Sequence, residues 1–120
     1  GNLKFDSGFG SVATAYGVRA WASWRGDITS GSSSQLDASG NISSITDNGT
    51  GDYTMNFTNA MPDTFYVVAG NVIEHTSGNR GDHTLTIYRT LRATGSVRVN
   101  SVNFSGNPVD DDFIFAAIIR

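Results

Sequence analysis

The last strand-like segment of the chain restricts its fold more than any other feature. Residues 113–119 read FIFAAII, and side chains in a strand alternate between two faces. Here both sets are apolar: Phe113, Phe115, Ala117 and Ile119 on one face, and Ile114, Ala116 and Ile118 on the other. Both faces must therefore be covered. A second layer of strands covers one face, and the other must meet a further layer or another subunit.

Further segments repeat this two-residue alternation. In residues 18–25 the pattern puts Val18, Ala20, Ala22 and Trp24 on one face, and Arg19, Trp21, Ser23 and Arg25 on the other. Residues 53–58 and 83–91 alternate likewise, with the inward set predicted to be Tyr53, Met55, Phe57, Leu85, Ile87 and Leu91. Residues 64–73 are apolar on both faces, which is typical of a central strand.

Turn-forming residues separate these segments, and no stretch has a helical period. Asn48-Gly49 is a preferred pair for a tight hairpin, because both central residues of that turn need a positive φ. Residues 96–104 change phase between Val99 and Val102, which predicts a bulge near Asn100 and Ser101. The sequence therefore predicts an all-β fold, an antiparallel β-sandwich or jelly-roll-like domain.

Composition excludes several classes of function. A chain of 120 residues fits one domain, and without cysteine it has no disulfide, thiolate metal site or thiol catalysis. A net charge of -3 with a single lysine argues against a nucleic-acid partner. No apolar run is long enough to span a bilayer, and no signal peptide is visible.

The chain is expected to divide into a stalk and a domain. Residues 1–17 are rich in glycine and have no sustained period, so we interpret them as a linker or the end of a fibre stalk. Residues 18–120 form the predicted β-sandwich domain. Because the first residue is Gly1, we expect the chain to be a piece of a longer protein.

Two places carry residue types suited to sugar binding. Trp21 shares its face with polar side chains, so an exposed indole platform is one interpretation and packing under a loop or at a subunit interface is the other. Residues 74–83 combine planar and charged groups that match pairs of sugar hydroxyls, or else form a solvated hairpin loop. The candidate ligand-binding residues are Trp21, Glu74, His75, Asn79, Arg80, Asp82 and His83.

Catalysis and metal binding have little support in the sequence. A glycosidase needs two carboxylates beside a cleft, and Glu74 is the only glutamate. The two histidines, His75 and His83, lack the close spacing of a transition-metal pair. Asp110, Asp111 and Asp112 offer oxygens to calcium, but neighbouring side chains in a strand point to opposite faces. We therefore expect a protein that is not an enzyme, with no metal and no cofactor.

Three stretches resemble the C-terminal domain of bacteriophage tail fibres and of related fibre-like adhesins. They are RAWASW at 19–24, SGNISSITDNGTGDYTMNFTNAMPDTFYVV at 39–68, and the final aliphatic strand that ends in Arg120. The resemblance implies a homotrimeric distal tip, on a virion tail or an extracellular fibre, that attaches to a bacterial surface, often through glycan. Its partners would be two identical chains and an envelope receptor, without nucleic acid and without membrane insertion.

The resemblance concerns scaffold residues, and it identifies no ligand. The chain departs from the pattern within 27–40 and 74–82, so no binding residue is carried over there. Two alternatives remain open: a structural domain that trimerises or caps a fibre whose recognition lies elsewhere, and a fragment of a polysaccharide depolymerase.

Overall fold

The described part of the chain is made of β-strands. The computed structural model describes residues 4–5, 13–14, 17–26, 36–73 and 83–120, and within them there are strands and no helix. This confirms the all-β prediction. The strands are β1 (Lys4–Phe5), β2 (Ala13–Thr14), β3 (Val18–Trp24), β4 (Leu36–Gly40), β5 (Ile42–Gly49), β6 (Asp52–Phe57), β7 (Val67–Ile73), β8 (Thr84–Arg92), β9 (Ser96–Val102) and β10 (Phe113–Ile119).

Two four-stranded antiparallel sheets pack against each other as a sandwich, as the sequence predicts. Sheet I has the strand order β4-β3-β10-β7 and sheet II the order β5-β6-β9-β8. The two-residue strands β1 and β2 pair only with each other. The division into a stalk (1–17) and a domain (18–120) stays a prediction.

The core lies between the sheets and follows the alternation of the sequence except at Val18, which is 59% exposed and lies where the pairing of β3 with β10 shifts register. From sheet I it takes Ala20, Ala22 and Trp24 of β3 with Ile114, Ala116 and Ile118 of β10, and from sheet II Tyr53, Met55 and Phe57 of β6 with Val97 and Val99 of β9. The Trp24 and Tyr53 rings meet edge to face with centroids 5.9 Å apart. Each large side chain buried here contributes about 1.5–3 kcal/mol to the stability of the fold.

Strand β10 lies at the centre of sheet I, between β3 and β7, with Ala117 opposite both Trp21 and Ala69. Its inward residues are buried against sheet II, so the predicted division into two apolar faces is confirmed. Within the described residues, no other part of the chain forms a layer over its outward face.

Strand β7 is an edge strand, and the prediction of a central strand was wrong. It pairs with β10 on one side only, and its outward residues Val67, Ala69 and Ile73 are exposed. The apolar character of both faces reflects the uncovered outer face of sheet I rather than a central position in the sheet.

The predicted bulge in β9 is absent. The strand alternates without interruption, and Val97, Val99 and Ser101 all point inward and are buried. The apolar pattern of the sequence changes phase here because a serine, Ser101, occupies a core position. Its hydroxyl donates a hydrogen bond to the buried carboxylate of Asp111, which makes a polar residue tolerable there.

Strand β8 follows its predicted pattern only at its start. Leu85 packs against the core, but Ile87 and Leu91 are each about 40% exposed, contrary to the expectation that they point into the core. The pairing of β8 with β9 shifts register between Ile87 and Arg92, and β8 lies at the edge of sheet II. Past the shift Arg92, not Leu91, lies opposite the buried Val97, so Leu91 faces outward. Ile87 stays exposed because it lies at the edge of the sheet.

The hairpin between β5 and β6 turns two residues later than predicted. β5 runs on to Gly49, which pairs with Asp52, and the turn falls at Thr50 and Gly51. The positive φ angles belong to Gly49 and Gly51, not to Asn48. Asn48 instead donates side-chain hydrogen bonds to Asp52 and Thr54, on the strand that follows the turn.

Candidate functional site

The connections between strands collect at the two ends of the sandwich. At one end, which we call the base, the Arg120 N–H donates to the Gly17 carbonyl and the Asn41 amide donates to the carbonyls of Arg19 and Asn59. We call the opposite end the loop end. It contains Gly26, the turn at 50–51, His83 and residues 103–112.

Asp110 fixes the loop end from the side of sheet II. Its Oδ1 accepts hydrogen bonds from the Gly51 N–H at 2.7 Å and from the Tyr53 hydroxyl at 2.9 Å. Burial, followed by the hydrogen bond to the Asp110 carboxylate, raises the pKa of Tyr53 well above its ordinary value. The phenol therefore stays protonated and acts as a structural donor.

Asp111 lies fully buried beside it and joins both layers of the loop end. One carboxylate oxygen accepts from the Ser101 hydroxyl, and the other lies 2.7 Å from His83 Nδ1. The backbone carbonyl of Asp111 also accepts the Gly26 N–H at 3.0 Å. A buried carboxylate needs such partners, because an unpaired charge in the interior is costly. The sequence shows no signal for this role, since Asp111 stands in the middle of three aspartates.

Of the predicted ligand-binding residues, the structure describes Trp21 and His83. Glu74, His75, Asn79, Arg80 and Asp82 lie outside the described residues. Trp21 and His83 do not meet. The first is on the outer face of sheet I, opposite Gly40 and Ala117, and the second packs against Asp111 at the loop end. Ligand binding by either residue stays a prediction.

Trp21 forms one wall of an open groove on the outer face of sheet I. Its indole is 44% exposed and lies over Gly40, where any side chain would overlap the ring. The groove has a volume of about 510 Å³, and its floor is formed by small residues. Its lining comprises Trp21, Ala22, Ser23, Ala69, Gly70, Asn71, Phe115, Ala116 and Ala117.

The outer face of sheet II has the opposite chemistry. Arg98 makes a bidentate ion pair with Asp52, with contacts of 2.6 and 2.7 Å. The Tyr88 hydroxyl donates to the same carboxylate, and the Arg98 guanidinium lies 4.9 Å from the centre of the Tyr88 ring. The hydrogen bond from Arg98 is the main cause that holds the pKa of Asp52 below its usual range. The described part of this face is mostly polar, and it contains the paired charges of Asp52 and Arg98.

A further feature of the loop end was missed in the sequence. Phe104, predicted to lie at the end of a strand, follows the last residue of β9 by two positions and is 81% exposed in a turn. The turn Asn103–Asn107 is closed by the hydrogen bond from the Asn103 N–H to the Asn107 carbonyl. The alternation of a strand does not show that Phe104 lies outside the core, because phenylalanine fits a buried strand position as well as an exposed turn.

The described residues form neither a metal-binding group nor a membrane-spanning helix. Among residues 17–26, 36–73 and 83–120, and the two short strands before them, no group of three or more acidic, histidine or cysteine side chains is placed to hold a metal ion. Nor does this part of the chain contain a helix able to cross a membrane.

Comparison of the chain with protein-family models, with curated proteins and with solved structures gave no match. The likeness to tail-fibre tips thus depends on the residues quoted above.

Proposed function

We propose that this chain is the receptor-binding tip of a homotrimeric fibre that attaches to a glycan on the bacterial surface, without enzymatic activity. The observation that carries the proposal is the apolar outer face of sheet I, which no other described part of the chain covers. The resemblance to tail-fibre tips supplies the setting: a virion tail or an extracellular fibre.

The centre of the outer face of sheet I is apolar, and no other described part of the chain covers it. A contiguous apolar patch on a protein surface is often functional, and a large one commonly marks an interface. Val67 is 58% exposed and Ile73 is 50% exposed. The outward residues of the two inner strands are Arg19, Trp21, Ser23, Phe113, Phe115, Ala117 and Ile119.

Charge on this face lies towards its two ends. At the base, Arg19 Nε donates to the Arg120 carbonyl at 2.9 Å. Towards the loop end, the Arg25 guanidinium lies 4.6 Å from the centre of the Phe113 ring. The centre, where Trp21 and Ala117 are opposite each other, is uncharged. An apolar centre with a polar rim is the usual arrangement of a protein interface.

The position of the face suits a parallel assembly of copies. It lies along the side of the sandwich, between the base, where Gly17 leads into β3, and the loop end. Copies joined through their sides around one axis would present their loop ends together. Individually weak receptor contacts repeated three times give avidity without any single tight site.

The assembly is tested by placing a charge at the centre of the face. Ala117→Glu buries an unpaired carboxylate in the proposed interface, whereas Thr86→Glu places the same charge at an exposed position on the outer face of sheet II. We expect light scattering to give three times the 12.8 kDa chain for the parent and for Thr86→Glu, and a monomer for Ala117→Glu. A parent chain that stays monomeric at every concentration contradicts the proposed trimer.

Receptor binding needs its own measurement, because a structural cap would trimerise equally well. A glycan array probed with the trimer separates the two: selective binding of bacterial envelope sugars supports the tip. A trimer that binds no sugar favours the trimerisation or capping domain. The depolymerase alternative predicts release of reducing ends that depends on Glu74.

A further inference from the structure

The most exposed large apolar side chain in the described part of the chain stands at the loop end. Phe104 is 81% exposed, and it lies in the turn that follows β9. Phe65 is similarly exposed, at 77%, but it belongs to the connection between β6 and β7 at the base. Single exposed apolar residues are common on protein surfaces, so exposure alone does not make Phe104 a contact site.

Phe104 lies in a turn that is held by several hydrogen bonds. The Asn103 N–H donates to the Asn107 carbonyl, and the Gly106 N–H donates to the Asn103 carbonyl, each at 2.9 Å. The side-chain oxygen of Asn103 accepts the N–H groups of Ser105 and Asn107 at 3.0 and 3.1 Å. Gly106 has a φ of +80°, which favours glycine. A ring presented by so constrained a backbone loses little conformational freedom when it binds.

The two ends of the turn are also held by hydrogen bonds. Val102 forms an isolated bridge with Pro108, and the Val109 N–H donates to the Ser101 carbonyl at 3.0 Å. Ser101 is in turn held by the buried carboxylate of Asp111. Phe104 therefore projects from a turn that is hydrogen-bonded both within itself and to β9.

The surroundings of the ring match a sugar better than they match an apolar protein surface. Ser105 and Asn107, next to Phe104 in the turn, are exposed and carry hydroxyl and amide groups. An aromatic ring accepts the C–H face of a pyranose, while neighbouring polar groups bind its hydroxyls. Among the described residues the loop end also carries Asp47, Asp110 and Asp112 beside Arg25, and this excess of negative charge disfavours an anionic ligand.

We propose that the turn 103–108 is a carbohydrate contact site in which the Phe104 ring stacks on the face of a neutral sugar. This inference rests on the proposed function, which it deepens by naming a site and a ligand class. The site includes none of the ligand-binding residues predicted from the sequence. In a parallel trimer it occurs three times at the same end.

The test uses three replacements of Phe104, by alanine, tryptophan and leucine, and one matched control at Phe65. The probe is an array of neutral and acidic oligosaccharides from bacterial capsules and O-antigens, followed by titration of the best neutral sugar. We expect Phe104→Ala to weaken that binding by roughly tenfold or more, Phe104→Trp to retain it, and Phe104→Leu to weaken it nearly as much as alanine. Phe65→Ala, an equally exposed phenylalanine at the base, should bind like the parent chain.

Each of the other outcomes overturns the inference in a distinguishable way. If the parent chain binds neutral sugars and Phe104→Ala binds them equally well, the site is elsewhere and the proposed function stands. Should the parent chain bind no sugar, both proposals fail. If Phe104→Leu binds like the parent, the contact is apolar rather than aromatic stacking. If Phe104→Ala changes the mass found by light scattering, the ring belongs to a subunit contact.

Discussion

At the scale of single residues, the loop end depends on close approaches that leave no room for a side chain. Gly51 has a φ of +63°, and a Cβ there would lie 2.5 Å from the Ser101 carbonyl oxygen and 2.6 Å from the Val109 nitrogen. Its N–H is the donor that Asp110 accepts. Both the backbone angle and the crowding therefore require glycine, which accounts for the position of the turn two residues beyond the predicted one.

Gly51→Ala is expected to destabilise the fold by about 3 kcal/mol or more, because the left-handed φ and the overlap with two backbone segments add together. Gly95→Ala is the control, since a Cβ at Gly95 meets nothing within 4 Å. It should change the free energy of unfolding by about 0.5 kcal/mol at most. Urea titration of both variants measures the difference, and similar stabilities would disprove the crowding argument.

At the scale of elements, the Asp52 carboxylate connects three strands on the outer face of sheet II. Asp52 begins β6, Arg98 lies in the middle of β9, and Tyr88 on β8 donates to the same carboxylate. Asn48 of β5 adds a longer contact of 3.3 Å to Asp52. Cross-strand pairs of this kind fix register, because a slip of one residue would separate all the partners.

Asp52→Asn should lower the stability of the fold at neutral pH by about 0.5–1 kcal/mol, since water reaches the Arg98 guanidinium and screens the pair. The folded state holds the pKa of Asp52 below its ordinary value, so this stability is present above about pH 4 and is lost as the pH falls through the folded pKa. Unfolding measured from pH 7 to pH 2.5 should therefore show the gap between parent and variant closing in acid.

Thr86→Ala provides the control for that pH dependence. Thr86 lies on the same outer face and has no titratable group, so any gap it causes should be the same at every pH. A gap for Asp52→Asn that is equally constant would mean that the carboxylate contributes no charge-dependent stability.

At the scale of the whole molecule, the two outer faces of the sandwich differ in what they leave exposed. The outer face of sheet II carries mostly hydroxyl, amide and charged groups with one exposed leucine, Leu91, whereas sheet I exposes the groove between Trp21 and Phe115. A domain that exposes one such face in water is stabilised when copies of itself cover it. Its stability should then depend on its own concentration.

Thermal unfolding of the parent chain is expected to shift upward by about 3–5 °C for each tenfold increase in concentration, as mass action requires for a folded trimer. Ala117→Glu, as a monomer, should unfold at a lower temperature that does not vary with concentration. Calorimetry or circular dichroism over a hundredfold range of concentration distinguishes the two. A parent chain with a constant midpoint would argue that the apolar face remains uncovered.

The candidate sites were less predictable from the sequence than the strands. The prediction of a polar loop around Arg80 lies outside the described residues, and the prediction for Trp21 gave its face but not its groove. Phe104 and Asp111 were not singled out as a contact or an anchor. Their roles depend on which distant segments pack beside them, and a local pattern carries no information about that.

The sequence by itself determined the class of fold, because alternation of apolar residues leaves a strand only one way to bury them. It assigned the inward residues of β6 correctly and divided β10 into its two faces, but it grouped Val18 with the buried face of β3, and Val18 is 59% exposed. Only the tertiary structure decided which apolar faces are covered: β7 lies at an edge, Leu91 stays exposed, and a buried serine replaces an apolar residue in β9. The physical reason is that burial belongs to the packing of whole sheets, whereas alternation belongs to the geometry of a single strand.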